Sequence, residues 1–188
     1  MDKAEILRVF DTCGTDKGSL RHGYHQMYAD VFESVPVVSK LLEIGVKRGR
    51  SLAAWLQLLP HAEIIGVDTV LRDDIILEAS FARIIVANST RKSIAESVGS
   101  GYDIIIDDGD HRPDSQWQTF LNLEECWTKV YVIEDIIGID AEKVLRKRLN
   151  SKGYTDIQTF SSKESNVEMS INGKIETFSF YSIVVHKK

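Results

Sequence analysis

The chain has 188 residues, 43% hydrophobic and 27% charged, enough for one soluble globular domain with a sizeable core. Its net charge of -5 argues against a nucleic-acid partner, which would want a basic face. No apolar run approaches membrane-spanning length, the first residues are no signal peptide, and Cys13 and Cys126 lack metal-ligand spacing, so a cytoplasmic protein with no membrane partner is expected.

Apolar residues at helical spacing (Ile6, Leu7, Val9, Phe10) predict a first helix, closed by Cys13-Gly14. A polar loop, Gly14 to Ser19, leads to His22, Tyr24, His25 and Tyr28, and a second helix is expected over 25–34, ended before Pro36. Residues 39–46 read as a first strand and 51–59 as a helix with Ser51 as cap. Further strands are expected over 62–67, 82–87, 103–107 and 130–134. Helices are expected over 73–80, 91–98, within 113–127 and over 140–152. The tail turns to β-formers at 154–161 and 177–186, with a tight-turn signal at Asn172-Gly173. This order predicts one domain over 1–188. A helical flap segment, 1–36, precedes a doubly wound α/β core, 37–188, whose mostly parallel sheet ends in antiparallel strands.

Chemistry gathers at the predicted strand ends, where open α/β sheets bind ligands. Glu43, Gly45 and Gly49 form a strand-turn-helix in which glycine lets the backbone approach a ligand at a helix N-terminus. Only two glycines occur, so this is no dinucleotide fingerprint. An acid in the turn repels a pyrophosphate and favours a cationic ligand such as the amino and sulfonium groups of S-adenosylmethionine. Asp68 stands where an acid accepts ribose hydroxyls, and Asn88-Ser89 where an adenine edge is met. Asp108, Glu134 and Asp135 offer hard oxygens suited to Mg²⁺ or Mn²⁺. His111, three residues past Asp108, has the natural pKa of a general base. Asp107 is expected to face the cofactor, and Asp110 and Asp114 to be surface acids. Thr15, Asp16, Lys17, His22, Tyr24, His25 and Tyr28 belong either to a flap over the site or to a capped surface loop. His61 and His186 get no role, and the tryptophans are read as core.

The series ExGxxxG, GVD, DIIIDDGxH and YVIED, with GTDKG upstream, resembles the class I S-adenosylmethionine-dependent methyltransferases. The resemblance is to their metal-dependent sugar and macrolide O-methyltransferases and to related cephalosporin-pathway proteins, over roughly residues 14–138. It implies a Rossmann-like sheet and transfer of a methyl group to a hydroxyl of a saccharide or other small molecule. It further implies Glu43 and Gly45 at the methionine end of the cofactor and Asp68 at its ribose. Asp108, Glu134 and Asp135 would hold Mg²⁺, His111 would be the base, and Thr15 and Lys17 would lie near cofactor or substrate. The family often has serine where Asp110 stands. A metal-independent methyltransferase of RNA or another small molecule and a non-catalytic cofactor-binding module are the alternatives, and homo-oligomerisation is left open.

Overall fold

A computed structural model describes residues 1–163, 167–171 and 174–187. Helices α1 (Lys3–Cys13) and α2 (His25–Ser34) precede β1 (Lys40–Ile44). Then come α3 (Arg50–Leu58), β2 (Glu63–Asp68), a 3-10 turn at Leu77–Phe81, β3 (Arg83–Val86), α4 (Ile94–Val98) and β4 (Tyr102–Asp107). The chain continues through α5 (Pro113–Leu123), β5 (Trp127–Ile137), α6 (Ile139–Ser151), β6 (Ile157–Ser161), β7 (Val167–Ile171), β8 (Lys174–Phe178) and β9 (Phe180–His186).

Seven strands form one sheet in the order β3-β2-β1-β4-β5-β9-β6. The first five are parallel, and β9 runs antiparallel between β5 and β6. The chain winds outward from β1 through β2 to β3, then returns to the other side of β1 with β4. Strand order therefore reverses between β1 and β4, and a crevice opens at their carboxyl ends. The central strands are apolar on both faces because helices cover both. Leu41, Ile104, Ile106, Val130 and Val132 pack with α1, α2 and α3. Leu42, Ile105, Tyr131 and Ile133 pack with α4, α5 and α6.

The sheet and most elements follow the sequence expectation, and the differences have local causes. The expected helix over 73–80 is only the turn Leu77–Phe81. Ile76 donates its backbone N–H to Arg48 O at 3.0 Å and is extended there, so helical bonding starts only beyond it. Ser51 is not the cap of α3. Gly49 holds that position at φ 76°, and the Ser51 hydroxyl turns inward to Glu43. The segment 1–36 is no loose flap, because Ile6, Phe10, Met27, Tyr28 and Phe32 are built into the core. β5 is longer than expected, and β7 and β8 form a separate two-stranded sheet. The Asn172-Gly173 turn lies outside the described residues. Among the described residues, no helix is long and apolar enough to cross a membrane.

Candidate functional site

The turn after β1 is shaped by contact with β4. Gly45 has φ 93°, and a Cβ there would lie 2.1 Å from the backbone oxygen of Asp108. Only glycine lets the two strand ends come this close, and they are tied by a bond from Asp108 N to Ile44 O at 2.9 Å. Asp68 fastens the same turn from β2: its Oδ2 accepts from Val46 N at 2.9 Å and Lys47 N at 3.0 Å, and its Oδ1 from Thr69 N at 2.7 Å. Burial pushes this carboxyl up, but the backbone donors outweigh it and hold the pKa below the usual value. Two carboxylate oxygens offer about four acceptor directions. These three bonds, with longer ones from Thr69 Oγ1 at 3.4 Å and Val70 N at 3.5 Å, fill those directions, so Asp68 takes a ribose hydroxyl only by giving up one of the longer contacts.

A cleft of about 570 Å³ lies over these strand ends, lined by Gly45, Asp68, Asn88, Asp108 and His111 among others. Asn88 closes a turn by accepting from Thr90 N at 2.9 Å. A smaller cavity of about 200 Å³ is lined by Thr15, Asp16, Arg50 and Ser51 among others, with Gly45, Lys47 and Asp108 shared between the two. Asp110, exposed on the rim of the larger cleft, is paired with Arg112, which offsets the extra negative charge. Asp114 is likewise exposed and pairs with Arg148 at 2.8 Å.

Four of the residues expected to hold the cofactor line neither cavity: Glu43, Gly49, Asp107 and Lys17. Gly49 makes the close packing of α3 on the 3-10 turn, where a Cβ would sit 2.3 Å from Ala79 Cβ. Asp107 points to the opposite face of the sheet, as strand alternation requires of the neighbour of Asp108. It accepts from Gly109 N at 3.3 Å, its Oδ2 has no hydrogen-bond partner, and burial pushes it up to about 8. Glu43 is fully buried beneath the turn and accepts from Ser51 Oγ at 2.8 Å and Trp55 Nε1 at 3.1 Å. Burial pushes it up to about 7 against the pull of Lys17.

Lys17 is the centre of this buried layer. Only 1% exposed, its ammonium donates to Asp108 Oδ2 at 2.6 Å and to Glu134 Oε2, with Glu43 Oε1 at 3.9 Å. The strand register explains the meeting: Ile44, Asp107 and Ile133 stand side by side, so Asp108 and Glu134 follow together on the α1–α3 face. Burial works against the charge on Lys17, but Asp108 and Glu134 more than reverse it and raise its pKa, so it keeps its proton. Burial raises the carboxyl pKa of Asp108 and Glu134 as well, opposed by Lys17. The second oxygen of Glu134 accepts from the Tyr28 hydroxyl.

Asp135 does not follow the alternation. It has φ 52°, and the β5–β9 pairing skips register between Ile133 and Ile136. This left-handed bulge carries its carboxylate toward the strand ends, where Oδ1 accepts from the Tyr24 hydroxyl at 2.6 Å and Oδ2 faces His22 Nε2 at 3.6 Å. Asp108, His111 and Asp135 thereby converge, each offering a ligand atom within 4.8 Å of the others. Of the expected set Asp108, Glu134 and Asp135, Glu134 bonds to Lys17 and Tyr28, and His111 stands beside the two aspartates. Two carboxylates and open positions fit a hard divalent cation. Imidazole suits such an ion less well, and the Nδ1 of His111 is buried without a partner. That Nδ1 makes no hydrogen bond that either a ligand's or a proton acceptor's role would break.

The roles of Tyr24, Tyr28, His22, Ser51 and Trp55 in holding acids were missed from sequence. The one available signal was the polar and aromatic run from Lys17 to Tyr28, too mixed for an ordinary core segment.

Neither a protein-family profile nor a curated protein sequence matches the chain. Solved structures do. The methyltransferase MycE of the mycinamycin biosynthetic pathway, in complex with Mg, SAH and mycinamycin VI, superimposes with a TM-score of 0.62 at 24% identity, over 70% of this chain and 39% of its own. TomG of Streptomyces achromogenes, an O-methyltransferase of tomaymycin synthesis in complex with SAM, gives 0.56 at 12% identity over 99% and 89%. Precorrin-6y C5,15-methyltransferase of Geobacter metallireducens gives 0.56 at 13% over 87% and 88%. The chain spans under two-fifths of MycE, and the likeness shows a class I methyltransferase fold.

Proposed function

We propose that this protein is an S-adenosylmethionine-dependent O-methyltransferase that uses a divalent metal, Mg²⁺ or Mn²⁺, and acts on a hydroxyl of a saccharide or other small-molecule acceptor. The observation that carries this reading is the convergence of Asp108, His111 and Asp135, of which Asp108 and His111 line the larger cleft. The names of the similar structures agree with it: MycE was solved with Mg and SAH, and TomG with SAM.

Asp108 and Asp135 would hold the metal, which when bound supplies a positive charge that orients two acceptor oxygens and eases loss of a hydroxyl proton. Asp68, Asn88 and the Gly45 turn would seat the adenosyl group, whose sulfonium supplies the methyl. His111 would accept the proton of the acceptor hydroxyl, leaving that oxygen ready for the methyl group the sulfonium would supply. Glu43 and Lys17 act beneath the floor, holding the turn and the acids in place rather than touching the cofactor. Positioning supplies most of the gain, since the protein forms no bond of its own to the methyl group.

Calorimetric titration of S-adenosylmethionine, S-adenosylhomocysteine and NADH, with and without Mg²⁺, tests the cofactor. The two adenosyl compounds bind and NADH does not; no heat from either adenosyl compound would remove the reading. A screen of sugars and diols for methyl transfer then tests the acceptor. Activity that survives a chelator would assign the chemistry to the acid and histidine cluster without an ion.

A further inference from the structure

We propose that Lys17 is a built-in cation that fills the Glu134 side of the acid cluster and confines a divalent ion to the Asp108–Asp135 side. The inference rests on the metal reading above only for the ion's existence. An ion bound by Glu134 Oε2 and Asp108 Oδ2 would occupy the space where the Lys17 ammonium already lies, 2.6 Å from Asp108 Oδ2 and in contact with Glu134. Lys17 cannot swing away cheaply. At 1% exposure its whole side chain is enclosed, and leaving would strand Glu43 and Glu134, both buried, without an opposite charge. Both oxygens of Glu134 are already engaged, Oε2 by Lys17 and Oε1 by the Tyr28 hydroxyl, so an ion there would compete with each. Asp108 gives Oδ2 to the ammonium, while its carboxylate also offers an oxygen within 4.8 Å of ligand atoms of His111 and Asp135. Lys17 is thus a positioning residue: it fixes Asp108 from the side opposite the metal, and it makes the acid cluster stable before any ion arrives.

Mn²⁺ titration, read by electron paramagnetic resonance and by thermal midpoint, tests this on the whole chain. Glu134→Gln should bind Mn²⁺ within twofold of the unmodified protein, whereas Asp135→Asn should bind at least tenfold more weakly. Lys17→Met should bind Mn²⁺ at least tenfold more tightly, with a larger rise in midpoint on adding Mn²⁺, and the double variant with Glu134→Gln should lose that gain. A purely structural lysine would lower the midpoint without creating Glu134-dependent binding. Tenfold weaker binding in Glu134→Gln alone, or unchanged or weaker binding in Lys17→Met, would overturn the proposal; if Lys17→Met does not fold, Glu134→Gln decides. If the unmodified chain binds no Mn²⁺ but Lys17→Met binds it through Glu134, the cation role stands and the metal reading falls. If neither binds, both fall.

Discussion

His111 and Asp135 carry the most specific consequences at the level of single residues. His111→Ala removes the proton acceptor but none of the residues placed around the adenosyl group. Turnover should fall by about 10²-fold or more, the usual contribution of a positioned base, while S-adenosylhomocysteine affinity measured by calorimetry stays within a few-fold. Loss of cofactor binding instead would give His111 a different role. Asp135 sits at φ 52°, a region that aspartate and asparagine tolerate better than other side chains. Asp135→Asn should therefore keep the bulge while giving up metal affinity. Asp135→Ala should lose metal affinity and a further ~1 kcal/mol of stability, from backbone strain and the Tyr24 bond left open. Chemical denaturation of the two variants side by side separates the terms, and equal stability would mean the backbone is not strained there. Neither the bulge nor the fate of Glu134 is legible from the run Val-Ile-Glu-Asp. Simple alternation sends neighbours to opposite faces, and only pairing with β9, some fifty residues on, breaks it.

The elements meet most tightly where the β1 turn touches β4. Gly45→Ala would combine a left-handed backbone with a Cβ 2.1 Å from Asp108 O, so the strand ends must part. The cost should reach about 3 kcal/mol, from the summed backbone and overpacking terms, and the cofactor cleft should deform with it. Thermal unfolding and S-adenosylhomocysteine titration of this variant check both effects; a stable variant with normal binding would show that the turn relaxes freely. At this scale the sequence was informative. Periodic apolar runs located the parallel strands, the α3 and α5 helices and the acids at the strand ends, because each signal is local. The 3-10 turn after Asp74 was misread as a helix because its start depends on a bond to Arg48, far outside any local window. The β6–β9 arrangement was legible only as a strand-rich tail, since partner choice among antiparallel strands is set by packing on β5.

For the molecule as a whole, the buried acids set how stability changes with pH. Burial pushes Glu43 up to about 7 in the folded chain, from the ordinary glutamate value of about 4.5. The folded state therefore holds this proton more firmly than the unfolded state between those values. Stability is greatest at the acid end of that window and declines as pH rises toward 7, by on the order of 3 kcal/mol from this group alone. Denaturant titrations at several pH values should show the decline in the unmodified protein and a flatter profile in Glu43→Gln; an identical slope would place the proton elsewhere. The lysine-acid layer also bears on how the chain assembles. Lys17 is synthesised 91 residues before Asp108 and 117 before Glu134, and Tyr24 111 residues before Asp135. Helix α1 can settle on α3 early, but the Lys17 ammonium lacks the two acids it donates to until β4 and β5 are in the sheet. Such long-separated contacts slow folding. In pulse-labelled hydrogen exchange, backbone amides of residues 15–24 should gain protection after those of β1 and β4, so a stretch made among the first closes among the last.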